Sequence, residues 1–182
     1  MDRKANSFRL KNCLLVISVF LCAVLVLAWQ AASVAENSPI VKDDAGLLTE
    51  EEKTALYREM SSLCRYGTPM FWTTYEDGTY NALSVQFAEE QLPGGDNWVL
   101  FMINMKTRII SVYSKGEMMK SLTGEKAYTV SDHVYRYATD GQYYECASRA
   151  FSEIRSILET DGKNPIVLAW EAIRNFINGP GR

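Results

Sequence analysis

The sequence is poor in the residues that build several common chemistries. It has one histidine, His133, among 182 residues, and no Cys–His cluster or CxxC pair. That argues against a zinc site of the usual kind. Cysteines number four, and only Cys64 and Cys146 lie beyond residue 35, too few for a disulfide-framework fold. With 11 glycines and 5 prolines, collagen-like and low-complexity classes are excluded as well. No P-loop, GxSxG or HExxH pattern occurs, and no internal repeat. Positive charge is also short. Of 19 Lys+Arg and 22 Asp+Glu, residues 1–35 take Arg3, Lys4, Arg9, Lys11 and Asp2. The remainder holds 15 basic and 21 acidic residues, a net charge of −6. An acidic domain excludes nucleic acid as its main partner, because phosphate neutralisation needs a basic face.

What is present begins with the N-terminus. Four basic residues precede an uncharged stretch from Cys13 to Ala35, almost wholly apolar between Leu14 and Ala28. Ser33 and Ala35 satisfy the −3/−1 rule for signal peptidase, with cleavage before Glu36. The apolar core sits near the upper limit of signal peptides and the lower limit of spanning helices. Residues 1–35 are therefore read as a signal peptide or an N-terminal membrane anchor. Under the positive-inside rule, both place the rest of the chain outside the cytoplasm, secreted or tethered to the membrane. Cys22 follows Val19, Phe20 and Leu21, without the small residue a lipobox needs. For Cys64 and Cys146, a disulfide and two small buried hydrophobes both fit, and the second is the preferred reading.

The next part, 36–160, alternates short strands with helices. Residues 36–41 form a lead-in ending in a short strand. Thr49 and Glu52 make a capping box, with Leu56, Met60 and Leu63 at helical spacing and Gly67 as a C-cap. Met70–Thr74 reads as a strand, and 81–92 as a helix with Leu83, Phe87 and Ala88 inward. Trp98–Ile103 is an apolar run of strand length, which suggests a central strand covered on both faces. Residues 108–113 run back as its hairpin partner. Two helices follow, 124–138 and 143–158. This order predicts an α/β fold, a three-layer α/β/α sandwich on a small mixed sheet, preceded by the signal or anchor helix. Residues 161–182 read as a linker and a C-terminal amphipathic helix, with Ile166, Ala169, Trp170, Ile173 and Ile177 on one side. Packing on the domain and binding to an interface or partner both suit that helix.

These residues also carry a resemblance. The run Val41 to Glu52, VKDDAGLLTEEE, resembles the opening signature of the TPM domain family, named after a thylakoid lumen protein. Met70–Thr74, Trp98–Asn104, Arg108–Gly116 and Asp140–Tyr144 with Ala147 and Phe151 are similar, in order and spacing, to the family's later segments. The likeness spans roughly 38–158 and looks like the exported bacterial branch. It implies an α/β/α sandwich, acid phosphatase activity or a role in photosystem repair in some plant members, and divalent cation binding near the acidic motif. Two departures stand out. Asn104-Met105 replaces a paired Asp after the central strand, and Ser114-Lys115-Gly116-Glu117 replaces a glycine-rich run.

The residue chemistry supplies candidates on its own terms. Asp43 and Asp44, with Asn104 and Glu117, offer oxygen ligands for Ca²⁺ or Mg²⁺. Helix capping and a solvated acidic turn account for the same carboxylates. Arg108, Tyr143 and Tyr144 are candidates for an anion or ligand groove, within a wider set that includes Tyr113, Tyr128, Tyr135 and Tyr137; tyrosines sealing a small core are the alternative. His133 reads as a surface helix residue. No catalytic residue is assigned. The expected function is a non-enzymatic binding or accessory module of the cell envelope, recognising an envelope or membrane protein and a divalent cation. The alternative is a metal-dependent acid phosphatase, a phosphomonoester hydrolase built on Asp43 and Asp44.

Overall fold

A computed structural model describes residues 37–161. The expected signal peptide or anchor, 1–35, lies outside the described residues, as does the expected linker and C-terminal helix, 161–182, except for Asp161, which ends the last described helix. Four strands form one sheet in the order β1-β2-β3-β4: β1 Ile40–Asp43, β2 Thr68–Thr74, β3 Trp98–Asn104 and β4 Ile109–Lys115. The first three are parallel and β4 is antiparallel to β3, so the sheet is mixed. Five helices are described: α1 Glu50–Ser61, α2 Tyr80–Gln91, α3 Glu117–Ser121, α4 Gly124–Thr139 and α5 Tyr143–Asp161.

Side chains alternate across β2 and β3, and this alternation builds two cores. Phe71, Val99, Phe101 and Ile103 face α1, α4 and α5. Met70, Trp72, Leu100 and Met102 face α2. Every residue of β2 and β3 is buried, as expected for strands covered on both faces. On one side Phe151 of α5 meets Phe101 edge-on at 6.2 Å between ring centres; on the other Phe87 of α2 stacks on Trp72 at 4.5 Å. The two parallel crossovers step the same way across the sheet, yet α1 and α2 pack on opposite faces. Such connections have opposite hands, so one of them is the rare left-handed form.

Local chemistry explains the element ends. Thr49 Oγ1 accepts from the Glu52 N–H, and the Glu52 carboxylate accepts from the Thr49 N–H, completing the capping box. The helix stops at Ser61, with Ser62 as its C-cap, rather than running to Gly67. Gly67 has a different task. A Cβ there would stand 2.6 Å from Met118 Sδ and 2.8 Å from the Asn97 carbonyl oxygen, so only glycine lets the chain enter β2 under α3. Strand β1 is in register with β2, which makes Asp43 the last residue of a strand rather than the start of a helix. The short helix α3 carries too little periodicity to be read from sequence.

Candidate functional site

Two regions hold the chemistry-bearing residues. The first is the sheet end where β1, β2 and β3 terminate. Asp43 and Thr73 are direct partners in the parallel register. The Asp43 side chain is fully buried. Its Oδ1 accepts from the Leu47 N–H at 2.9 Å and from the Thr73 hydroxyl; its Oδ2 accepts from the Leu48 N–H at 3.0 Å and faces Lys53 Nζ at 3.6 Å. A carboxylate has about four acceptor positions, and all four are directed at groups of this chain. Burial alone would raise the Asp43 carboxyl. The Thr73, Leu47 and Leu48 hydrogen bonds and the Lys53 charge outweigh it and hold the group below its ordinary value.

Its neighbours are also engaged. Asp44 Oδ2 accepts from the Trp72 indole N–H at 2.9 Å and pairs with Lys42 at 3.3 Å. The buried Asn104 side chain donates to the Glu76 carbonyl and accepts from the N–H groups of Lys106 and Thr107, turning the chain from β3 towards β4. Glu117 sits at the other end of the sheet, because Asn104 pairs with Ile109 while Trp98 pairs with Lys115 just ahead of it. There it pairs with Lys120 at 2.6 Å. The structure thus brings Asp43, Asp44 and Asn104 to one sheet end, with the oxygens of Asp43 and Asn104 engaged and Asp44 half-exposed and held through Oδ2, and leaves Glu117 apart. The four do not fit a shared cation site. Among the described residues no cluster of three or more His, Cys, Asp or Glu side chains is assembled.

The second region is a groove along β4. Arg108 precedes β4 with φ 59°, the one positive-φ residue besides glycine among the described residues. Arg108 and Tyr143 line a recess of about 160 Å³ beside Asn104. That recess continues, through Arg108, Ile109, Ile110 and Tyr135, into a larger groove of about 660 Å³. Its floor is β4. One wall is α4, with Ala127, Tyr128 and Ser131; the other is the start of α2, with Tyr80 and Asn81. Tyr80, Ile109, Tyr128 and Tyr135 are all more than 40% exposed, Tyr128 as much as 73%. Ser111 Oγ, on the floor, is buried without a hydrogen-bond partner.

Tyr144 does not join this groove. Its hydroxyl donates to Glu59 Oε1 at 2.7 Å and ties α5 to α1; that bond to a carboxylate pushes its ionisation up to about 12. His133 lies exposed on α4 against Glu153, at 2.9 Å. Cys64 and Cys146 are both free thiols. Sequence reasoning named Arg108 and Tyr143 but missed Tyr80, Ile109 and Ser111. Residue type carries little signal there, since an isoleucine and a serine in a strand look like core.

Residues 41–157 match the TPM domain. The chain belongs to the TPM domain family. Solved structures agree on the fold of this TPM domain. The N-terminal domain of a protein from P. gingivalis is 14% identical, with a TM-score of 0.58, covering 70% of this chain and 87% of that one. The BA42 protein from Bizionia argentinensis is 12% identical, with a TM-score of 0.53 and coverage of 62% and 82%. The N-terminal domain of the cg2496 protein from Corynebacterium glutamicum is 10% identical, with a TM-score of 0.51 and coverage of 68% and 81%. No curated protein matches the chain. The correspondence supports the TPM reading of the sequence and of the sandwich.

Proposed function

We propose that this TPM domain is a non-enzymatic binding module of the cell envelope, exported behind residues 1–35, which recognises a partner through the groove along β4. The observation that carries this reading is the groove itself. Exposed Tyr128, Tyr135, Tyr80 and Ile109 surround it, and aromatic side chains that offer large area at low entropic cost favour recognition. The engagement of Asp43 supports the same reading. A carboxylate whose acceptor positions are filled by Leu47, Leu48, Thr73 and Lys53 is poorly suited to hold a metal-bound water or to act as a base.

The test is site-specific photo-crosslinking in the exported full chain. A photoreactive side chain at Tyr128 is expected to trap a discrete partner, and the same group at Tyr75, exposed but outside the groove, is not. Metal-dependent turnover of p-nitrophenyl phosphate that is lost in Asp43→Asn would overturn the reading in favour of a hydrolase.

A further inference from the structure

Strand β4 is an edge of the sheet, and among the described residues nothing pairs with its outer side. Edge strands are commonly blunted by shortness, by proline or by inward charges. The opposite edge, β1, obeys this rule with four residues, two of them charged. β4 does not: from Ile109 to Ser114 it has no charge and no proline, and it is seven residues long. At about 3.3 Å per residue that offers some 23 Å of unpaired backbone. The groove lies on this edge. Because α4 packs on one face of the sheet and α2 on the other, their residues Tyr128 and Tyr80 stand on either side of a slot whose floor is the β4 edge.

Charge narrows the occupant. Arg108 and Lys115 bracket the uncharged stretch, and neither has an ion-pair partner among the described residues, although the chain beyond residue 35 is acidic overall. Antiparallel pairing of β4 with β4 of a second copy would bring Arg108 of each copy beside the Lys115 end of the other. Like charges at both ends oppose that arrangement. An extended segment with carboxylates at its two ends meets complementary charge instead.

Resting on the binding-module reading, we infer that the partner is an extended polypeptide segment that adds to β4 as a fifth strand, uncharged over about seven residues and acidic at both ends. Main-chain hydrogen bonds along β4 supply the affinity, and Arg108 and Lys115 set the register and the preference.

The probe is a fluorescein-labelled peptide, Asp-Val-Thr-Val-Ser-Val-Thr-Val-Glu, titrated against the full chain, with a Lys-ended version as control. The acidic peptide is expected to bind at least tenfold more tightly at low salt, to weaken as salt rises, and to slow hydrogen exchange at the β4 amides. Arg108→Glu with Lys115→Glu should reverse the ranking. Lys115→Glu alone, at an exposed strand end, should narrow it if the double variant does not fold. Equal affinity of the two peptides, or binding without protection of β4, would overturn the inference. So would β4 protection that appears with protein concentration alone, which would assign the edge to a second copy, or peptide binding only after removal of 162–182, which would assign it to the chain's own tail. A Tyr128 crosslink with no peptide binding would sink the inference and leave the binding module standing; no crosslink and no binding would sink both.

Discussion

The Thr73 hydroxyl donates to the Asp43 carboxylate across two strands, β1 and β2, in which these residues are direct partners. The same Thr73 oxygen accepts from the Ala45 N–H at 3.0 Å, and its carbonyl accepts from the Asp44 N–H at 3.2 Å. One side-chain pair thereby closes the loop from β1 to α1. Gly46, with φ +64°, makes the reversal that brings the Leu47 and Leu48 N–H groups back onto the carboxylate.

Breaking this pair should unsettle the fold. Asp43→Asn replaces one acceptor oxygen by an N–H₂ that faces a donor, in a fully buried position. A loss of about 3 kcal/mol is expected, read as a fall in the denaturant midpoint. Thr73→Val should cost about 1–2 kcal/mol. The double variant should lose less than the sum of the two, because the residues share one bond. Strict additivity would show that they act independently.

The pH dependence follows from the same carboxylate. Its folded-state pKa lies below the ordinary 3.8, so the unfolded chain binds the proton more readily. The stability it supplies is fully present above 3.8 and is lost as pH falls through the lower folded value. The gap in stability between the parent and Asp43→Asn should therefore be widest near neutral pH and shrink on acidification below pH 3.8, as followed by chemical denaturation at a series of pH values. A gap that does not change with pH would contradict the assignment.

The two thiols in 37–161 should differ in reactivity. Cys146 is fully buried on α5 and its Sγ donates to the Val134 carbonyl; burial pushes its pKa up to about 12. Cys64 is half-buried, and burial raises it too. With mildly alkaline iodoacetamide, peptide mapping by mass spectrometry should find Cys64 modified slowly and Cys146 only after unfolding. Early labelling of Cys146 would show that the α4–α5 packing opens readily.

Gly116 tests the turn that separates Glu117 from the other acidic residues. Its φ is +73°, and a Cβ would collide with the Asp96 carbonyl oxygen and stand 2.9 Å from Asn97 Cα. Gly116→Ala should cost about 3 kcal/mol and lower the melting temperature by several degrees. Gly141→Ala is the control: its φ is +76° but nothing lies within 4 Å of the added carbon, so its cost should be about 1 kcal/mol.

Much of the fold is legible in the residues. The capping box at Thr49 and Glu52, the apolar run of β3 and the stripe Ala147, Ala150, Phe151, Ile154 and Leu158 each express a strong local signal. The site is less so. Asp43 and Asp44 look like an accessible pair because adjacent carboxylates normally are. Only the parallel register with β2 reveals that Thr73 and two backbone N–H groups converge on Asp43. Glu117 lies only thirteen residues beyond Asn104 in sequence, yet the antiparallel β3–β4 pairing carries it to the far end of the sheet. Ile109 and Ser111 carry no local signal of a groove, because the pattern gives no sign that β4 is an edge. Strand order arises from long-range pairing, which no local window contains.

The most direct single test is a melting series of the full chain with excess chelator and then millimolar Ca²⁺, Mg²⁺ or Mn²⁺, repeated for Asp43→Asn. A cation at 100 times its dissociation constant adds about 2.7 kcal/mol, which moves a domain of this size by several degrees. If Asp43 is a structural clamp and function lies in the β4 groove, the variant melts lower than the parent and no cation shift depends on Asp43. A stabilisation of several degrees that disappears in Asp43→Asn would place a metal at the acidic turn and return the domain to the hydrolase reading.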